Sequence, residues 1–66
     1  MVYRLAEVRK ARGFTQEALA RASKVNRANI AKYEIGTSSP TLQTAEKLAQ
    51  ALKVTVDELI GEQKAG

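Results

Sequence analysis

Residues 15–36 read TQEALARASKVNRANIAKYEIG, and this stretch decides the fold. Its apolar residues recur at helical spacing and do not alternate, which predicts two short amphipathic helices joined by a tight corner. Three positions fix the corner: Ala20 where the helices cross, Val25 just before the second helix, and Ile30, which points back toward the first. We therefore expect the second of these helices to leave its opposite face open to solvent.

The rest of the chain is also predicted to be helical, giving an all-α, compact five-helix bundle. The first helix is expected over residues 2–12 and ends at Gly13, with Phe14 packing into the core. Polar residues suited to N-capping precede the other four helices: Thr15, Asn26, Thr41 and Thr55, the last in a capping box with Glu58. Gly36 is expected to end the third helix. The bundle occupies residues 1–61, and residues 62–66 form a frayed tail without an apolar anchor.

Several small and apolar residues are expected to face the core. In the second helix these are Ala18, Leu19 and Ala22. The fourth helix has the strongest repeat in the chain, formed by Leu42, Ala45, Leu48, Ala49 and Leu52. At the corner we expect a positive φ at Lys24, a conformation that costs a non-glycine residue about 1 kcal/mol.

Composition excludes several classes of protein. Sixty-six residues make one domain, and the chain has neither cysteine nor histidine, so disulfides, Cys/His zinc sites and histidine catalysis are ruled out. No pair of catalytic groups is evident, so we expect neither an enzyme nor a cofactor. No apolar run approaches 18 residues, which favours a soluble, cytoplasmic protein without a membrane segment.

Charge is distributed unevenly along the chain. The net charge is +4, made of +5 in residues 1–35 and −1 in residues 36–66. A basic front half that carries two helices and a corner is the footprint expected of a domain that contacts phosphates. On its own, the same pattern also suits an ordinary solvated surface.

The third helix is the candidate reading element, because a helix-turn-helix with a free second helix fits the DNA major groove. Placed about 100° apart per residue around the helix, Ala28 and Lys32 lie opposite Ile30, and Arg27 projects forward from the first position. We expect these residues to contact bases: Arg27 by a bidentate pair to guanine, and Lys32 by reaching a guanine or a phosphate. Ala28 lets the backbone approach the bases, and either Ala28 or Ala31 is placed to touch a thymine methyl.

Phosphate contacts are expected on both sides of that helix. The candidates are Gln16, Asn29, Thr37, Ser38 and Ser39. Gln16 begins the second helix, where free N–H groups and the helix dipole attract an anion, and its amide is also placed to brace the third helix. Residues 37–39 are equally well explained as ordinary turn chemistry.

Glu34 leans toward the core, where a carboxylate is costly unless it is paired. Arg9 of the first helix is the expected partner, in a bidentate pair that ties the two helices together. The alternative is a Glu34 exposed to solvent.

These residues resemble the family of phage lambda-type repressors and Cro proteins, also called the XRE family. The similarity covers about nine-tenths of the chain and runs through Val8-Arg9, Gly13-Phe14-Thr15-Gln16, Leu19-Ala20, Val25-Asn26, Ile30, Tyr33-Glu34-Ile35-Gly36, Pro40 and Leu52. It implies a five-helix domain that binds operator DNA as a dimer, with phosphate contact at Gln16, base contacts at Arg27, Ala28 and Lys32, and an Arg9–Glu34 ion pair. Three positions depart from the family pattern: Lys24, Asn26 and Ile35.

The leading hypothesis is a sequence-specific transcriptional regulator, most simply a repressor, that reads an inverted-repeat operator as a homodimer. Apolar residues near the C-terminal end are the expected dimer interface: Leu52, Val54, Val56 and Ile60. The alternative is an antitoxin-like or adaptor module that uses the same fold to hold a protein partner.

Overall fold

The computed structural model describes residues 4–60, except for the side chain of Ile60. Five helices occupy this part of the chain and no strand occurs in it: α1 (Leu5–Ala11), α2 (Gln16–Ser23), α3 (Arg27–Ile35), α4 (Leu42–Leu52) and α5 (Val56–Ile60). The all-α, five-helix prediction is confirmed. Three predictions lie outside the described residues: the start of the first helix at residue 2, the end of the bundle at residue 61, and the tail over residues 62–66.

Every predicted N-cap is present. In three helices a side-chain oxygen accepts a backbone N–H: Thr15 from Ala18 at 3.0 Å, Asn26 from Ala28 at 2.7 Å, and Thr41 from Thr44 at 3.2 Å. Before α5 the bonds are reciprocal, since the Thr55 N–H donates to Glu58 Oε1 at 2.8 Å and the Glu58 N–H donates to Thr55 Oγ1 at 3.2 Å. Such caps satisfy N–H groups that the helix itself leaves without acceptors.

Residues with positive φ lie at or just past the ends of four helices. Gly13 follows α1 at φ 81°, as expected. Lys24 ends α2 at φ 62°, as predicted, and Gly36 ends α3 at φ 97°. Lys53 ends α4 in the same left-handed region at φ 60°, which the sequence did not reveal. The end of α4 is also capped from a distance, because the Arg12 guanidinium donates to the carbonyl oxygens of Leu52 at 3.0 Å and Lys53 at 2.8 Å.

The core is formed by large aliphatic residues from all five helices. Those least exposed are Leu5, Leu19, Ile30, Leu48, Leu52 and Leu59. Val25 also belongs to this cluster, and Phe14 packs against it, half-buried. The helices pack as α2 on α3 and α4, α1 on α3 and α5, and α4 on α5. Helix α3 is thus supported from one side by α1 and α2.

Three residues predicted to face the core are exposed. Ala18 and Ala22 lie on the solvent side of α2, because the buried side of that helix is the narrow row of Leu19 and Ser23. Leu42 is 67% exposed although it shares a face with buried Ala45, because it is the first residue of α4 and lies one turn beyond the buried part of that face.

None of the helices described over residues 4–60 has the length and apolar character needed to cross a bilayer.

Candidate nucleic-acid interface

Helix α3 presents most of its surface to solvent. Its exposed residues are Arg27, Ala28, Asn29, Lys32 and Ile35, and Ile30 is its one fully buried side chain. The three predicted base-contacting residues, Arg27, Ala28 and Lys32, therefore lie together on an open surface. The geometry thus exposes two cations and a small residue of α3 to solvent.

An ion pair holds the inner side of α3. The Arg9 guanidinium donates to both carboxylate oxygens of Glu34, from Nε at 2.6 Å and from Nη2 at 3.2 Å. Its Nη1 donates to the carbonyl of Phe14 at 2.8 Å, so one guanidinium joins α1, α3 and the connection between α1 and α2. The predicted bidentate pair is present, and the alternative of a solvent-exposed Glu34 is not.

Gln16 takes part in the same network. Its Nε2 donates to Glu34 Oε1 at 2.9 Å, so the first residue of α2 also braces α3. This position agrees with the predicted bracing role. Its other predicted role, contact with a phosphate, stays a prediction. The bond to Glu34 uses one of the two amide hydrogens, so the other can still donate to a phosphate.

The electrostatics of Glu34 reflect this network. Burial alone raises the pKa of the carboxyl group. Hydrogen bonds from Arg9 and Gln16, with the positive charges of Arg9 and Lys10, act in the opposite direction and outweigh burial, so the pKa lies below its ordinary value of 4.5. The carboxylate is therefore ionised at neutral pH and keeps its two partners in place.

The loop after α3 contains the hydroxyl residues Thr37, Ser38 and Ser39, all exposed. The Thr37 backbone N–H donates to the Lys32 carbonyl at 3.1 Å, and its hydroxyl donates to the same oxygen at 3.4 Å. These two bonds are the ordinary turn chemistry that was the alternative to phosphate contact for Thr37. Phosphate contact by these residues and by Asn29, which is exposed, remains a prediction.

The corner contains one residue that sequence reasoning missed. Ser23 is 6% exposed, donates from Oγ to the Leu19 carbonyl at 2.7 Å and accepts from the Val25 N–H at 3.3 Å. It therefore satisfies a backbone donor inside the turn, beside the strained Lys24. The signal available was a serine two residues before Val25, a spacing typical of a turn closed by a hydroxyl group.

A family model for the helix-turn-helix, HTH_3, matches residues 5–59. The chain belongs to this family. The predicted resemblance to the XRE repressors is confirmed, and the corner between α2 and α3 is the turn of the motif.

Two curated relatives of this helix-turn-helix chain are phage proteins. The cryptic phage CTXphi transcriptional repressor RstR of Vibrio cholerae is 40% identical over 58 residues, which cover 88% of this chain and 52% of RstR. The SPbeta prophage-derived HTH-type transcriptional regulator YonR of Bacillus subtilis is 37% identical over 57 residues, covering 86% of this chain and 53% of YonR. The chain spans about half the length of the curated relatives it matches.

A solved structure agrees with the fold. The restriction-modification controller protein C.AhdI from Aeromonas hydrophila superposes with a TM-score of 0.80 at 38% identity, over 83% of each chain. This helix-turn-helix chain therefore has the family's fold over its described length.

The expected dimer interface requires one correction. Leu52 is 1% exposed and belongs to the core of the single chain, so it offers no surface to a partner. Val54 and Val56 are half-buried and pack against that core from outside. The side chain of Ile60 lies outside the described residues.

Proposed function

We propose that this chain is a sequence-specific double-stranded DNA-binding transcriptional regulator, acting as a repressor, with α3 in the major groove. The observation that carries the proposal is the contrast between the two sides of α3. The inner side is fixed by Ile30 and by the Arg9–Glu34 pair, while the outer side exposes Arg27, Ala28 and Lys32.

A rigid inner side supports recognition because base readout needs side chains held in register with the base edges. Arg27, at the first position of α3, is proposed to form the bidentate pair with guanine that is the commonest specific contact in the major groove. Ala28 lets the backbone approach the bases closely. Lys32, one turn further along, reaches a guanine or a phosphate.

Phosphate contacts are proposed to position the helix without specifying sequence. Gln16 begins α2. The Thr15 side chain accepts the Ala18 N–H and fixes this helix end, so a phosphate is proposed to bind at the N–H groups of Gln16 and Glu17. Asn29, Ser38 and Ser39 are exposed beside or beyond the outer face of α3. The net charge of +5 in residues 1–35 supports a nucleic-acid partner.

Homodimer formation is part of the proposal, with Val54 and Val56 as its described contributors and with Ile60 included from the sequence. Two copies related by a two-fold axis would place two α3 helices about 34 Å apart, on an inverted-repeat operator. The repressor named among the relatives, RstR, supports the assigned sign of regulation.

The test begins with selection of bound sequences from a random duplex pool. We expect the chain to select a two-fold symmetric site with half-sites about one helical turn apart. Affinity for that site and for random duplex is then measured across a salt series. A steep fall of log affinity with log salt, at about 0.9 per neutralised phosphate, supports the proposal. Absence of any selected sequence together with a flat salt response would refute it and favour the protein-interaction module.

A further inference from the structure

Ile35 is a large apolar residue placed in solvent. It is the last residue of α3 and is 75% exposed, and over the described residues only Leu42 is a comparably exposed large hydrophobic side chain.

The helical position of Ile35 places it on the outer face of α3. At about 100° per residue, Ile35 lies about 140° around the helix from Ile30, between the core direction and Ala28 at about 160°, with Lys32 at about 200°. It follows Ala28 by seven residues, two turns or about 10.5 Å along the axis. Ala28, Lys32 and Ile35 therefore form one stripe along the exposed side of the helix.

The segment that follows Ile35 along the chain supplies no cation. No lysine or arginine occurs between Lys32 and Lys47. The exposed side chains that follow Ile35 in the loop are the hydroxyls of Thr37, Ser38 and Ser39. Beyond Lys32, the exposed groups that α3 and the following loop present are therefore neutral, and Ile35 is the apolar one among them.

We propose that Ile35 contacts the C5-methyl group of a thymine at the edge of the DNA site and thereby specifies that base pair. The inference rests on the proposed function and adds a specificity residue to it. Among the groups that base pairs present in the major groove, the thymine methyl is the apolar one, so an isoleucine without hydrogen-bonding atoms distinguishes bases through it. Covering both groups removes apolar surface from water, which favours the contact.

The test removes the two partners of this contact separately. Each thymine of the selected site is replaced in turn by deoxyuridine, which lacks only the C5-methyl group, and binding is measured for the original chain and for Ile35→Ala. In each half-site we expect one thymine whose replacement weakens binding of the original chain about three- to fivefold, as expected for one buried methyl group. Ile35→Ala should bind the unmodified site about three- to fivefold more weakly and should be insensitive to deoxyuridine at that same thymine.

Leu42→Ala is the matched control, since Leu42 is equally apolar and exposed but belongs to α4. It should keep the full response to deoxyuridine. Because Ile35 is exposed and alanine favours helix, Ile35→Ala should fold, which the far-UV circular dichroism spectrum checks.

Two results would overturn the assignment. One is an Ile35→Ala chain with unchanged affinity or with the same deoxyuridine response as the original at every thymine. The other is a changed oligomeric mass of Ile35→Ala in sedimentation equilibrium with an unaltered deoxyuridine response, which would make this surface a protein contact. If the original chain selects no DNA sequence at all, the proposed function is wrong and the inference about Ile35 is wrong with it. That outcome is distinguishable from the two results above, in which the original chain does select a site.

Discussion

The Nε of Arg9 lies 2.6 Å from Oε2 of Glu34, and the two side chains are 10% and 9% exposed. This pair joins the first helix of the bundle to the helix proposed to read DNA. Because both groups have lost most of their hydration, each depends on the other for compensation of its charge. The stability of the fold and the orientation of α3 are thus coupled through one contact.

Glu34→Ala should lower the free energy of unfolding by about 3 kcal/mol, because it leaves the buried guanidinium of Arg9 without its carboxylate. Breaking a buried ion pair costs about 3–5 kcal/mol. The loss should lie at the lower end of this range, since Arg9 keeps its hydrogen bond to the Phe14 carbonyl. Urea denaturation followed by circular dichroism measures it. The control is Arg4→Ala, which breaks a solvent-exposed pair with Glu7 and should cost less than about 1 kcal/mol. Equal losses in the two variants would contradict the assigned role of burial.

Acid should destabilise the chain partly through Glu34. Its pKa is lower in the folded chain than its ordinary value of 4.5, so the folded state binds this proton more weakly than the unfolded state. The stability it contributes is therefore complete above that value and is lost as pH falls through the folded pKa. Urea midpoints measured from about pH 6 to about pH 3 should fall further for the original chain than for Glu34→Gln, which has no proton to bind at this position. Parallel curves would show that Glu34 does not titrate differently on folding.

Arg27→Ala should lower affinity for the selected DNA site by about 1–3 kcal/mol and relax the preference for guanine at one position of each half-site. Binding curves on the selected site and on sites with that base pair exchanged measure both effects. Arg4→Ala serves as the control, because it removes the same charge near α5, where the Arg4 N–H donates to the Leu59 carbonyl at 2.6 Å. An unchanged base preference in Arg27→Ala would show that Arg27 contacts phosphate and not a base.

Lys24→Gly should raise the free energy of unfolding by about 0.5–1 kcal/mol, because φ at this position is 62° and glycine adopts that conformation without steric cost. The opposite kind of change at another positive-φ position, Gly36→Ala, should lower the free energy of unfolding by about 1 kcal/mol. A Cβ at Gly36, where φ is 97°, meets nothing within 4 Å, so any loss there is conformational. Thermal or urea unfolding of the two variants compares them. A stabilising Gly36→Ala would contradict the explanation.

Features set by short segments were predictable from the sequence. The N-caps of α2 to α5 depend on a polar residue and on the three residues that follow it, and all four are present. The Arg9–Glu34 pair was predictable because the helical position of Glu34 required a buried cation nearby.

Apart from the Arg9–Glu34 pair, the features described below depend on distant parts of the chain and were not predictable. Arg12 caps α4 across forty residues, and nothing in its own segment distinguishes it from a solvated arginine. Ala18 and Ala22 were misplaced because alanine is compatible with either side of a helix, so periodicity does not orient it. Leu52 was assigned to a partner interface because the sequence does not tell an internal contact from an external one.

The contacts of the arginines in α1 and beside it have a further consequence for long-range attraction. Of the eight basic residues among the first 35, Arg4 faces Glu7, Arg9 faces Glu34 and Arg12 is directed at backbone carbonyls of α4. These contacts fix where the three guanidinium groups lie but leave the charge of Arg12 uncompensated by any carboxylate among them, so we expect the positive potential near α1 to attract a polyanion from a fixed position.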